Sequence, residues 1–333
     1  MQNKNYTAKV IAEIGIMFAI TLIIIMATAY IPVISDLGMF ILPIPITIIY
    51  IKNNYKIALI TVIMSIIVTA FTYNPISGLT SGIIYGVVGI SLGYCVKNKK
   101  NSGVTIIIVA IAAVLGNISR FIIYAKVMSN KGIKEYLNLI VNQFKQSLEA
   151  SKDLYIQVNA PKEAIDYLDQ FISYINIETL LVVIPMIFII SSLIQSYVSY
   201  LITHKILKRL KYEVKDIIPF SRVYIPNKLE ALLIIIAAVG IILNSKGINK
   251  ASYMFTIANF LVTLTLTLDG MAYCAYLLRE KAKASRGVTF LILIVMLFVP
   301  IFSNLYSLFG LMDIILNSRK LDPDPIRKIK SRE

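Results

Sequence analysis

Charged side chains within long apolar segments are the residues of this sequence best suited to chemistry, because a charge in lipid is costly unless it is paired or hydrated. Arg120 lies near the end of one such segment, with Asn117 three residues before it and Tyr124 four residues after it on the same helical face. This face predicts a binding site for an anionic or polar solute. Two alternatives stay open: Arg120 extends to the lipid headgroups, or it pairs with Glu178.

Two further polar residues belong to the same predicted site. Asp36 and Asn74 lie in loops that the charge pattern, described below, places on the same side of the membrane as Arg120. We therefore expect Asp36 and Asn74 to join Asn117, Arg120 and Tyr124 in binding a substrate that enters from outside.

Asp269 is a second candidate, because it lies deep in another apolar segment. A carboxylate at that depth serves either proton or cation coupling or a structural hydrogen bond to a buried partner. Glu13 and Asp313 lie nearer to segment ends, and we expect both to reach the interface between lipid and water.

Catalytic signatures are absent from the sequence. His204 is the only histidine, so one chain cannot assemble a His-based metal site or a His–carboxylate proteolytic pair. There is no P-loop, no H-E-x-x-H motif and no glycine-rich nucleotide turn. Cys95 and Cys274 fall inside apolar segments, which disfavours a disulfide. We predict no enzyme activity, no cofactor and no metal site.

Two of the apolar segments carry small residues at helical spacing, a pattern that lets helix backbones approach closely in lipid. One face of the fourth segment predicts packing inside the bundle and consists of Gly78, Gly82, Gly86, Gly89 and Gly93. The seam of the first segment consists of Ala8, Ala12, Gly15 and Ala19. This second seam either packs inside the bundle or is offered to a partner membrane protein.

Helices in a membrane must position these residues. Hydrophobic residues make up 57% of the chain and charged residues 15%, against about 25% charged in soluble domains. So much apolar surface predicts a lipid bilayer, in the cell membrane, as the surroundings. The net charge of +15 is divided into short bursts between apolar runs, which is typical of cytoplasmic loops and disfavours a nucleic-acid partner.

The apolar segments predict an all-α, polytopic integral membrane protein. There are nine of them, at residues 10–31, 38–51, 57–72, 76–96, 104–124, 179–203, 229–243, 252–278 and 288–316. The second, third and seventh are short for a span of about 20 residues. They are either extended by flanking residues or partly re-entrant.

Orientation follows from the lysines and arginines, which lie in alternate loops and place the N-terminus in the cytoplasm. Nine spans would put the basic C-terminal tail outside. However, Pro300 interrupts residues 288–316, and a second short helix at 303–316 would return the tail to the cytoplasm. We favour that interpretation.

The predicted organisation has four parts. Residues 1–211 form a six-helix membrane bundle, in which residues 125–178 are an extracellular insertion of two amphipathic helices that would cover the site as a lid. A basic cytoplasmic loop at 212–228, further membrane helices at 229–317 and a basic tail at 318–333 follow.

The whole chain resembles the YybS-like predicted membrane proteins, a family defined as a domain of unknown function. The features that carry the resemblance are the opening Ala12–Gly15, the second-segment motif Leu42–Pro45, the stretch from Ile217 to Pro226, and Phe309–Asp313 leading to Arg319. The stretch from Pro219 to Pro226 is the most specific of these.

Residues 1–211 also resemble the substrate-binding, or S, components of energy-coupling-factor vitamin transporters. In that family a small-residue motif on the first helix meets the transmembrane T component, and Ala8, Ala12, Gly15 and Ala19 match it by position. S components are usually shorter, lack the 125–178 insertion and the segments after residue 211, and no vitamin-specific motif is present here.

Two functions are therefore expected. The first is binding or transport of a small solute in S-component fashion, with a transmembrane transporter subunit as partner. The alternative is an envelope scaffold of the MreD type, which predicts that the first six helices enclose no polar cavity.

Overall fold

The computed structural model describes residues 8–129, 132–248 and 250–323, and this part of the chain is helical and contains no β-strand. The α-helices in chain order are α1 (Ala8–Tyr30), α2 (Pro32–Ile41), α3 (Pro43–Lys52), α4 (Tyr55–Thr72), α5 (Pro75–Lys97), α6 (Ser102–Met128), α7 (Ile133–Gln157), α8 (Lys162–Tyr174), α9 (Ile177–Arg209), α10 (Asn227–Ser245), α11 (Ala251–Tyr276), α12 (Arg286–Phe298) and α13 (Pro300–Leu316). A 3-10 turn (Phe220–Arg222) precedes α10, and a π turn (Leu277–Lys281) extends α11.

Seven of the described helices are long and apolar enough to cross a membrane: α1, α4, α5, α6, α9, α10 and α11. The predicted class, an all-α polytopic membrane protein, is confirmed. The short third and seventh segments are completed by flanking residues, giving α4 with 18 residues and α10 with 19. Apolar side chains cover the outer surface, as in Phe71, which is 88% exposed; this suits lipid as the solvent.

The second apolar segment is interrupted at Leu42, between α2 and α3. Pro43 has no backbone N–H to continue the hydrogen-bond ladder, so it begins a new helix at its first turn. The side chains from Pro43 to Ile49 are all buried, which makes α3 a core helix.

The chain divides into two compact units, Met1–Ile217 and Ile218–Glu333. In the first unit, the glycine face of α5 packs against α3 and α4. A Cβ atom at Gly89 would lie 2.8 Å from the carbonyl oxygen of Pro43, and one at Gly78 would lie 2.7 Å from the backbone nitrogen of Ala70. Side chains at these positions would force the helices apart.

The insertion between α6 and α9 consists of two helices, α7 and α8, and the second begins directly after Pro161. Lys152 of α7 and Asp169 of α8 form an ion pair at 2.5 Å. Tyr136 of α7 packs edge-on against Phe121 of α6, which ties the insertion to the membrane bundle.

In the second unit, α11 and α13 approach so closely that a Cβ at Gly270 would overlap the carbonyl oxygen of Tyr306, and one at Gly310 would overlap that of Leu266. Thr267 and Ser307 lie opposite each other, with their hydroxyl oxygens 3.0 Å apart. The glycines at 270 and 310 therefore let the backbones of α11 and α13 come into contact.

The last apolar segment forms two helices, α12 and α13, that separate at Val299 just before Pro300. The hydroxyl of Tyr306 donates to the carbonyl oxygen of Leu293 at 2.9 Å, so α13 folds back beside α12. The segment is therefore a helical hairpin rather than one span, and its second helix begins three residues earlier than the predicted 303.

Candidate functional site

Two of the residues that were expected to bind a solute, Asn117 and Asn74, form hydrogen bonds within the protein. Asn117 of α6 donates to the hydroxyl of Ser192 on α9 at 3.2 Å, so its amide joins two helices. Asn74 caps α5 by accepting from the backbone nitrogens of Ile76 and Ser77. Asp36 falls within α2, but its side chain lies outside the described residues.

Arg120 is exposed near the end of α6, and its guanidinium lies 5.9 Å from the ring centre of Tyr124. Tyr136 of the insertion is also within electrostatic reach. Burial raises the pKa of the Tyr136 hydroxyl, Tyr124 adds to this rise, and Arg120 opposes it. In the described part of the chain, Arg120 forms no ion pair with Glu178.

Two spaces between helices of the first unit are either very small or apolar. One cavity, between α1, α3, α4 and α5, has about 10 Å³, which is room for about one water molecule. A larger cleft of about 230 Å³ lies between α6, α7 and α9. Its lining is apolar throughout: Val114, Ile118, Phe121, Ile133, Leu137, Leu180, Leu181, Ile184, Pro185, Phe188 and Ile189. Neither space suits a small polar solute.

The small-residue seam of α1 lies on the surface of the first unit. Ala8, Ala12, Gly15 and Ala19 are all exposed, and a Cβ at Gly15 would meet no atom within 4 Å. Other residues of α1 hold it to the bundle. Ile14 and Met17 pack against the core of α3 and α4, and Glu13 pairs with Lys52 of α3 at 3.1 Å.

The most concentrated polar site of the described chain is in the second unit and centres on Arg319. Its guanidinium donates to Asp313 at 2.9 Å and to Asp269 at 2.8 Å. It also donates to the carbonyl oxygens of Ser221 at 3.1 Å and of Val223 at 2.6 Å. The side chains of Arg319 and Asp269 are each 1% exposed.

We refer to Glu230, Asp269, Asp313 and Arg319 as the charged cluster. The backbone nitrogen of Ile225 donates to Asp269 at 3.2 Å, and Glu230, in the first turn of α10, is close enough to Asp269 for the two carboxylates to repel each other. The cluster thus joins the loop before α10, the beginning of α10, the later part of α11, and the end of α13 with the chain after it. These four segments meet at the cluster.

This arrangement corrects two expectations. Asp313 does not reach a lipid–water interface, because it is buried and bound to Arg319. Arg319 lies in the segment 318–333 that was predicted to be a basic tail, but it is buried between two carboxylates. The sequence signal was the presence of Asp269 and Asp313 in apolar segments, since each buried carboxylate requires a partner. Nothing in the sequence distinguished Arg319 from its basic neighbours.

A family model described as "Predicted membrane protein (DUF2232)" matches residues 19–314. The chain belongs to this family. It is 23% identical over 309 residues to "Uncharacterized protein YybS" of Bacillus subtilis (strain 168), covering 92% of this chain and 96% of that protein.

The resemblance to the YybS-like family is therefore confirmed. No solved structure matches the chain. The resemblance to S components has no counterpart among these matches. The chain is a multi-pass membrane protein of the DUF2232 family, and the family description assigns no activity.

Proposed function

We propose that this DUF2232 protein is a membrane-embedded interaction protein that docks a membrane-spanning helix of a partner along α1. The observation that carries the proposal is the position of the seam: Ala8, Ala12, Gly15 and Ala19 are exposed, and the space over Gly15 is empty to 4 Å. Small side chains on a lipid-facing surface let a second helix approach closely. The five glycines of α5 make that kind of contact inside the chain, whereas the α1 seam has no such contact among the described residues.

The interior of the first six segments also supports an interaction role. An envelope scaffold needs no polar cavity, and the cavity between α1, α3, α4 and α5 has about 10 Å³. The partner fitted by the seam is a helix with its own small or short apolar residues, because close approach requires small side chains on both surfaces.

A substitution at the centre of the seam tests this proposal. We expect Gly15→Leu to fold normally, since the new side chain would extend into open space, and to lose a membrane-protein partner that co-purifies with the wild-type chain from native membranes. Gly287→Leu is the matched control, because Gly287 is also a helical glycine with no atom within 4 Å of an added Cβ. If both variants retain the same co-purifying proteins as the wild type, α1 is not the docking helix.

The identity of the partner separates the two functions expected from the sequence. Loss of a transporter T subunit and its ATPase from the Gly15→Leu sample would support solute uptake in S-component fashion. Loss of an envelope protein would support a scaffold. The observation that favours solute binding is Arg120, an exposed cation beside two tyrosine rings.

The proposal includes an orientation, with the N-terminus and the tail in the cytoplasm and the insertion outside. Cysteine labelling tests it, because the native Cys95 and Cys274 are buried and should contribute little background. We expect Val158→Cys, between α7 and α8, to react with a membrane-impermeant maleimide in intact cells. Lys100→Cys, between α5 and α6, should react only after permeabilisation. Labelling in the reverse order would require the opposite orientation.

A further inference from the structure

The charged cluster of the second unit has more negative than positive charge. It contains one guanidinium, Arg319, and three carboxylates, Glu230, Asp269 and Asp313, all of them buried. The ion pairs of Arg319 engage one oxygen of Asp269 and one of Asp313. With every carboxylate ionised, the cluster would carry a net charge of −2 in apolar surroundings, which is very unfavourable.

Glu230 is the carboxylate for which the described structure supplies no counterion. It is 3% exposed, and neither of its side-chain oxygens has a hydrogen-bond partner. The nearby hydroxyl of Thr265 has one proton, which it donates to the carbonyl oxygens of Leu261 and Val262. A buried carboxylate without donors is much more stable when it carries a proton than when it is ionised.

The charged groups described around Glu230 also favour its protonated form. The charged group shown within electrostatic reach of Glu230 is Asp269 from α11, and Asp313 and Arg319 act in turn on Asp269. In the 3-10 turn before α10, Arg222 is exposed and directed to Glu280, 3.8 Å away. Lys228, on α10 itself, is also exposed. The positive end of the α10 helix dipole offsets part of one charge and does not balance two.

We propose that the charged cluster is a binding site for one exchangeable proton, held by Glu230. Oδ2 of the neighbouring Asp269 is also buried and has no hydrogen-bond partner, so nothing there stabilises further negative charge. A proton fits better than a metal ion, because the described residues contain no group of three or more histidine, cysteine or acidic side chains arranged to hold one. Arg319 among the carboxylates would also repel a cation.

The site has a structural consequence. Release of the proton places a second uncompensated negative charge beside Asp269, next to the ion pairs that hold four segments together. The second unit should therefore be most stable when Glu230 is protonated, and it should lose stability as the pH rises and the proton leaves. This inference concerns the second unit alone and does not depend on the docking function of α1.

Infrared difference spectroscopy on the full-length chain in lipid nanodiscs tests the proposal. We expect the carbonyl-stretch band of a protonated carboxylic acid at neutral pH, and its loss as the pH rises. The band should shift when glutamate is labelled with heavy carbon and should be absent in Glu230→Gln. Glu163→Gln is the matched control, because Glu163 occupies the first turn of α8 but is exposed; this variant should keep the band.

Thermal unfolding provides the second measurement. The midpoint of the wild type should fall with rising pH, whereas the midpoint of Glu230→Gln, whose amide imitates the protonated acid, should change much less. Absence of the band in the wild type, or a band that persists in Glu230→Gln or ignores the glutamate label, would overturn the proposal. A wild-type midpoint that responds to sodium but not to pH would also overturn it. If Glu230→Gln does not fold, the isotope shift in the wild type alone decides.

Discussion

Arg319→Met is expected to lower the free energy of unfolding of the second unit by about 3–5 kcal/mol, the range observed when one partner of a buried ion pair is removed. Methionine keeps much of the length and apolar character of the side chain but removes every donor. Asp269 and Asp313 would then be buried without a cation, and the carbonyl oxygens of Ser221 and Val223 would lose their donor. The four segments that meet at the cluster should separate.

The measurement is chemical unfolding in mild detergent, followed by protease digestion and detection of second-unit fragments. Lys320→Met is the matched control, since Lys320 is the adjacent residue but is exposed; its stability should stay within about 0.5 kcal/mol of the wild type. Arg319→Lys should be intermediate, because an ammonium keeps the charge but not the planar geometry that reaches two carboxylates and two carbonyl groups. Equal stability of Arg319→Met and Lys320→Met would show that the cluster does not hold the unit together.

A compensating variant separates charge from packing. If the uncompensated carboxylates cause the loss, adding Asp269→Asn and Asp313→Asn to Arg319→Met should recover a measurable part of the stability. If the triple variant is no more stable than Arg319→Met, the guanidinium acts mainly by filling space and by binding the loop carbonyl groups.

The helices could be predicted from the sequence because long apolar segments have few alternatives in lipid, where every backbone polar group must be bonded within the segment. Prolines stand at the two places where an apolar segment divides into two helices, and the break at Pro300 was the one expected from the sequence. Pro43 separates α2 from α3, and Pro300 begins α13. These helix boundaries depend on the proline itself, which lacks a backbone N–H, and not on distant contacts.

The sites were less predictable, because helical spacing gives the direction of a side chain and not its partner. Asn117, Arg120 and Tyr124 do lie along α6, yet Asn117 is bonded to α9, and this pairing depends on how two distant segments pack. Arg319 is separated from Asp269 by 50 residues, and only the hairpin of α12 and α13 brings them together. Spacing within one segment contained no information about either contact.

The charged cluster lies next in the chain to the closest approach found at any glycine of the described residues. Asp269 immediately precedes Gly270, where α11 meets the backbone of α13 around Tyr306. At the other end of α13, Asp313 is three residues after Gly310, which meets Leu266 of α11. The glycines bring the two helices close enough for one arginine to bind a carboxylate on each. The geometry of the cluster therefore depends on the absence of side chains at these two positions.

Gly270→Ala is accordingly expected to lower the stability of the second unit strongly, although it removes no polar group. The added Cβ would overlap the carbonyl oxygen of Tyr306 and lie 2.9 Å from the backbone nitrogen of Gly310, and backbone cannot rotate away as a flexible side chain can. We expect the free energy of unfolding to fall by about 3 kcal/mol, at the upper end of the usual cost of overpacking. Gly310→Ala should behave in the same way, because its Cβ would overlap the carbonyl oxygen of Leu266.

Gly287→Ala isolates the steric cause, since the same added methyl group at the beginning of α12 would meet open space. That variant should be as stable as the wild type or slightly more stable, because alanine loses less conformational entropy than glycine when a helix forms.

The separation of α11 and α13 in Gly270→Ala should also disrupt the ion pairs of Arg319. A second substitution, Arg319→Met, should therefore cost much less stability in the Gly270→Ala background than in the wild type. Additive losses in the double variant would mean that the glycine contact and the charged cluster stabilise the second unit independently, contrary to the coupling inferred from their positions.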